Sequence, residues 1–95
     1  MKYVQISGDT ATVTVEGQFQ LVQSITVGSE LSESYNKGIT KVVFDFAKTK
    51  YIDSSAVTEL IKAWRKVGKD NFVIYNPNSK VAAVLRGANL LGWVK

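Results

Sequence analysis

Between Lys41 and Gly87 the chain alternates short hydrophobic runs with longer amphipathic ones, and this alternation restricts the fold more than any other feature. Lys41-Val42-Val43-Phe44-Asp45-Phe46 is β-branched and aromatic. It is too short for a buried helix and nearly continuous in hydrophobicity, as a central strand covered on both faces would be. Then Val57, Leu60, Ile61, Trp64 and Val67 recur at helical intervals, with Thr58, Glu59, Lys62, Arg65 and Lys66 on the other side, and Gly68 ends the run. Phe72-Val73-Ile74-Tyr75 reads as a second buried strand. Asn76 offers a cap ahead of Pro77 at a first helical position, and Val81, Val84 and Leu85 turn inward on a third helix that stops near Gly87. Strands and helices in this order imply neighbouring parallel strands joined by right-handed crossovers. Val42 to Phe46 and Phe72 to Tyr75 are therefore expected side by side, with the helix from Ser54 to Val67 between them and Trp64 mostly buried.

Ahead of this unit, Tyr3 to Ser7 and Thr10 to Glu16 alternate apolar and polar residues around Gly8-Asp9. That is the pattern of a β-hairpin with Ala11, Val13 and Val15 on one face. Leu21, Val22, Ile25, Leu31 and Tyr35 follow at imperfect helical spacing and Asn36-Lys37-Gly38 supplies a stop, so a helix is predicted over roughly Val22 to Asn36, weakened near Gly28. Ala47-Lys48-Thr49-Lys50 reads as a polar connection and Trp93-Val94 as a short extended tail. The expected fold class is α/β: a small mixed sheet with an N-terminal β-hairpin and β-α-β-α-β-α crossovers, helices packed on the sheet, in a single domain over residues 1–95. A chain of 95 residues has room for one core, burying roughly 60 to 65% of its unfolded surface.

The residue inventory excludes much chemistry. There is no cysteine and no histidine, which removes disulfides, thiolate metal sites and the commonest general base. No Gly-rich phosphate loop is present. Pairing Ser54 with Lys48 or Lys50 gives no defensible catalytic spacing. The expectation is no enzyme, no cofactor and no metal. No apolar run approaches the roughly 18 to 20 residues of a membrane span, and Met1 to Gln5 enter directly into an alternating pattern, so a cytoplasmic protein without direct membrane insertion is expected. Residues 1–40 carry two basic and four acidic side chains, residues 41–95 ten basic and four acidic. With no block of like charges, nucleic acid is not the expected partner; the basic face of Lys62, Arg65, Lys66 and Lys69 suits solvent or an acidic protein surface.

Tyr51-Ile52-Asp53-Ser54-Ser55-Ala56-Val57, placed between a strand and an amphipathic helix, resembles the signature of STAS domains, best known from bacterial anti-sigma factor antagonists. The family pattern is an aromatic or aliphatic pair, then Asp-Ser-Ser or Asp-Ser-Thr, then Gly-Leu. Lys41 to Phe46 is similar to the strand before that motif, and Phe72 to Pro77 to the strand and helix start after it. Val81 to Val94 is similar to the third helix, its corner and the following strand. Gly17 stands in the place of the family's glycine after the second strand. Ala56 replaces the motif glycine, and its methyl group is expected to crowd a docking partner. Gln18 and Gln20 stand where acidic residues are usual. The chain ends at Lys95, before the last helix of many relatives, so a sheet face or helix groove is expected to lie uncovered.

The resemblance implies a regulatory binding module, an anti-sigma factor antagonist that acts by partner switching. It implies that a serine kinase of the histidine-kinase-like ATPase type, itself the anti-sigma factor, phosphorylates Ser54, and that a serine phosphatase reverses this. The implied partner-binding residues are Asp53, Ser54, Ser55, Ala56, Thr58 and Lys62. The residues alone also fit helix capping, with Asp53 orienting the loop and Ser55 as a second capping hydroxyl. An alternative is a non-phosphorylated STAS subunit of a larger assembly, such as a stressosome or a lipid-transport ABC ATPase complex, which Gln18, Gln20 and Ala56 favour.

Overall fold

A computed structural model describes the whole chain, Met1–Lys95. Strands β1 (Val4–Ser7) and β2 (Thr10–Thr14) form the expected hairpin, with Val4 opposite Val13 and Ser7 opposite Thr10. Strand β4 (Lys41–Asp45) pairs parallel with β2, and β6 (Phe72–Tyr75) parallel with β4, giving the order β1-β2-β4-β6. Helix α2 (Ser54–Val67) connects the adjacent strands β4 and β6, as the alternation of runs requires.

Register places the core on one face. Ala11, Val42 and Phe72 form one row and Val13, Phe44 and Ile74 the next, all buried. Thr12, Val43 and Val73 point the other way and are half-buried. The expected coverage of β4 on both faces is thus corrected. Helix α1 (Leu21–Asn36), α2 and α3 (Ser79–Gly87) bury Val27, Leu60 and Leu85 in the same cluster as Phe44, so only that side of the sheet is sealed.

A second pairing escaped the sequence reading. Strand β3 (Gly17–Phe19) lies parallel to β5 (Thr49–Ile52) in a separate two-stranded sheet, so part of the expected polar connection is strand. Strands this short carry too few alternating residues to register as a pattern. Gly17 takes φ +82 at an irregularity in the pairing, a left-handed value open to glycine. Phe19 and Ile52, opposite one another, are fully buried, and the Phe19 ring stacks on Phe44 at 6.4 Å between centroids. Thr49 is buried too, and its hydroxyl donates to the Val15 carbonyl.

The helices differ from expectation in detail. α1 starts one residue early and runs unbroken through Gly28. Along α2 the buried line is Ala56, Leu60 and Ala63, while Val57, Ile61, Trp64 and Val67 flank it half-buried. Ala63 is missing from the expected stripe because a methyl group gives little hydrophobic signal. Trp64 packs edge-on against Trp93 at 5.1 Å between centroids, and its indole N–H has no hydrogen-bond acceptor. The cap of α3 is Asn78, whose Oδ1 accepts from Val81 N at 2.8 Å; Asn76 sits at φ 59 and Pro77 precedes the helix. Asn78 Nδ2 also donates to the Lys50 carbonyl at 3.1 Å, fastening α3 to β5, while Asn76 Nδ2 donates to Asp45 Oδ1 at 3.1 Å. The tail is a short turn at Leu91–Trp93, and only Val94 reaches extended pairing, beside Ile74.

One buried carboxylate ties the N-terminus to α1. Glu30 accepts from Lys2 N at 2.9 Å, Tyr3 N at 2.8 Å and Val4 N at 2.9 Å. Burial alone would push this carboxyl up, but the three backbone donors and the N-terminal ammonium outweigh it and hold it below the ordinary 4.5. Its folded value lies below the unfolded one, so its stabilisation is complete above about pH 4.5 and is lost as pH falls through the folded value. Glu30→Ala strands three donors and should lower stability by about 2 to 3 kcal/mol. In urea melts the variant should also lose the acid-induced drop in stability that Glu30 gives the wild type as pH falls below about 4.5.

Candidate functional site

Because β3 and β5 run parallel and adjacent, the helices that follow them, α1 and α2, begin at the same end of the molecule. Asp53 N donates to the Phe19 carbonyl at 3.3 Å, which draws the two helix starts together. At α2 the cap is Asp53: its backbone is extended, its Oδ1 accepts from Ala56 N at 3.1 Å, and its carbonyl accepts from Val57 N at 3.1 Å. Ser54 and Ser55 are the first two helical residues, whose N–H groups have no acceptor within the helix. The Ser54 side chain is exposed and relieved of capping duty.

Helical spacing puts Ser54, Ser55, Thr58 and Lys62 along one side of α2. Ser54, Thr58 and Lys62 are exposed, and Asp53 and Ser55 half-buried. Thr58 Oγ1 donates back to the Ser54 carbonyl at 3.0 Å. Ala56 does not join them. It is fully buried, its methyl group serves the core, and so it neither contacts nor crowds a docking partner. The Gln20 position caps α1, its N–H donating to Gln23 Oε1 at 3.0 Å, and neither α1 nor α2 has an acidic residue in its first turn. Two positive helix ends therefore stand side by side with Asp53 as the carboxylate at the α2 start.

Glu59 was expected on the polar outer face of α2, yet its side chain is only 12% exposed and turns toward α1. A Cβ at Gly28 would stand 2.7 Å from Glu59 Oε1, so glycine there gives the carboxylate its room. Burial, with Glu59 nearby, pushes the Tyr35 hydroxyl up to about 12. Lys62 Nζ lies 3.6 Å from Glu59, and Lys66 Nζ lies 5.4 Å from the centre of the Tyr35 ring. Tyr35, Glu59 and Lys62 border a cleft of about 410 Å³ between α1 and α2. No signal in the sequence pairs Gly28 with Glu59.

With this geometry in place, the comparison with known families is decisive, since the STAS domain family model matches residues 2–95. The chain belongs to the STAS domain family. Its members are non-catalytic regulatory domains, and here no group of His, Cys, Asp or Glu gathers to hold a metal. No helix is long and apolar enough to cross a membrane. The fold is also that of the anti-sigma factor antagonist SpoIIAA in its unphosphorylated form, with TM-score 0.87 and 17% identity over 97% of this chain and 84% of that one. The Bacillus cell fate determinant SpoIIAA in the phosphorylated form aligns with TM-score 0.78 and 16% identity over 97% of this chain and 86% of that one. A Thermotoga maritima protein aligns with TM-score 0.82 and 21% identity over 97% of this chain and 81% of that one. No curated protein matches the chain in sequence.

The division of roles at the STAS motif has a direct consequence. Asp53→Ala removes the cap and should lower stability by about 1 kcal/mol, whereas Ser54→Ala should change it by less than about 0.5 kcal/mol. Thermal melts of the two variants check the order.

Proposed function

We propose that this chain is an anti-sigma factor antagonist that works by partner switching, with phosphorylation of Ser54 as the switch. The observation that carries the reading is the placement of Ser54. It is exposed at the first position of α2, while Asp53 holds the helix start without it. Two features of the comparisons support the reading: family membership, and the fold shared with SpoIIAA, a protein described in both phosphorylated and unphosphorylated forms. The proposed partners are a serine kinase of the histidine-kinase-like ATPase type, acting as the anti-sigma factor, and a serine phosphatase. Asp53, Ser54, Ser55, Thr58 and Lys62 form the proposed contact surface.

The physics of the switch follows from the helix start. A phosphate on Ser54 brings about −1.5 to −2 charges. In the free chain the unpaired N–H groups and the positive helix end receive it, a gain of about 0.3 to 1 kcal/mol, so the fold is kept. At an interface the same dianion must be desolvated beside Asp53, which costs several kcal/mol. Each 1.4 kcal/mol of that is about tenfold in affinity.

The test uses the ATPase recovered with tagged wild-type chain from its native cell. Ser54→Asp should weaken calorimetric binding at least tenfold while melting near the wild type, and Ser54→Ala should bind like the wild type. Equal affinities for both variants would remove Ser54 from the mechanism. The absence of a carboxylate at the start of α1, where Gln20 is the cap, specifically favours the second reading, an assembly subunit docked without phosphorylation. Recovery of a transporter ATPase or a stressosome core as the main partner would bring it forward.

A further inference from the structure

The first half of α1 has an apolar face that the fold does not use. Leu21, Val22 and Ile25 are 59%, 72% and 65% exposed, while Val27 and Leu31 on the other side fill the core. A helix that serves only its own domain needs one apolar stripe, and this one has two. No residue between Glu16 and Glu30 carries a charge. Ile25 stands on one lip of the α1–α2 cleft and the exposed Lys62 on the other, 3.6 Å from the largely buried Glu59 carboxylate that also lines the cleft, with Lys66 outside it over Tyr35. Gly28 and Ala63 also line the cleft, and their small size leaves room between the lips. Aliphatic side chains on one lip and lysines on the other suit an amphipathic helix laid in a groove.

Charge decides which occupant fits. Lys62, Arg65 and Lys66 make the outer side of α2 basic. A second copy docked about a twofold axis would set these rows against each other, a like-charge contact that opposes pairing. An acidic partner, by contrast, is attracted by the same lysines. We infer that the α1–α2 cleft docks an amphipathic helix of a protein partner, apolar where it meets Ile25 and the exposed Val22 outside the cleft, and acidic where it meets Lys62 and the neighbouring Lys66. The inference deepens the proposed function, on which the partner's identity as the anti-sigma ATPase rests. Since α1 and α2 begin together, a helix in this cleft ends beside Ser54, where an added phosphate would oppose its acidic flank.

The probe is a pair of synthetic helical peptides with the same leucine face, one with glutamates and one with lysines on the flanks, titrated into the isotope-labelled whole chain. The acidic peptide should shift the amides of Val22, Ile25, Ser29 and Lys62 and bind at least tenfold tighter than the basic one. The double variant Val22→Ser, Ile25→Ser should weaken it at least tenfold, and Lys62→Glu with Lys66→Glu should reverse the preference. All four side chains are exposed, and the spectra of the variants report their folding directly. Equal affinity for both peptides, shifts elsewhere, or no binding overturns the inference, as does self-association through Val22 and Ile25 in sedimentation. Cleft binding without phosphorylation of Ser54 would count against the proposed function alone, and phosphorylation without cleft binding against this inference alone.

Discussion

The parallel pairing of Gly17–Phe19 with Thr49–Ile52 sends two segments of chain out of the same edge of the molecule, and each turns at once into a helix. Its ends are fixed by Gly17 N donating to the Lys48 carbonyl at 2.9 Å and by Asp53 N donating to the Phe19 carbonyl at 3.3 Å. Its inner side chains, Phe19 and Ile52, are fully buried, and Phe19 meets Phe44 and Phe46, so the aromatic core and the helix starts are positioned by one element. A pairing this short would not persist in water by itself. Here the core holds it and the buried Thr49 hydroxyl is satisfied by the Val15 carbonyl.

Bringing two helix starts together makes an electropositive corner out of backbone alone, and the side chains there share the work. Asp53 supplies the cap and a compensating charge, which leaves Ser54 as an exposed hydroxyl on which the helix start does not depend. The proposed switch needs that separation, because a group that both holds the fold and carries the signal would unfold the domain each time it switched. Glu30 does a similar holding task at the far strand, where its three backbone donors keep the hairpin on α1.

The long periodic elements were legible in the sequence: the α2 helix, though not its exact buried line, the β4 and β6 runs and the hairpin all appear where periodicity placed them. So did the motif, since Asp53-Ser54-Ser55 sits between a strand and an amphipathic helix. What escaped depends on contacts between distant segments. Gly17–Phe19 and Thr49–Ile52 mean little until they pair, and Asn78 rather than Asn76 caps α3 where the Lys50 carbonyl holds its amide and Asp45 holds that of Asn76. Glu59 looked like a surface charge because periodicity cannot show that Gly28 opens a space opposite it. Ala56 looked like contact surface because a motif says which residues stand together, not which way each side chain turns.

The central claim is that Ser54 receives the phosphate and that the fold tolerates it. Phosphosite mapping of the intact chain after incubation with its partner ATPase and ATP tests this most directly, with an amide spectrum of the product. The account predicts one phosphate, on Ser54, with spectral changes confined to the starts of α1 and α2. A phosphate on Ser55 or elsewhere, or no phosphate while the ATPase remains bound in the presence of ATP, would contradict it.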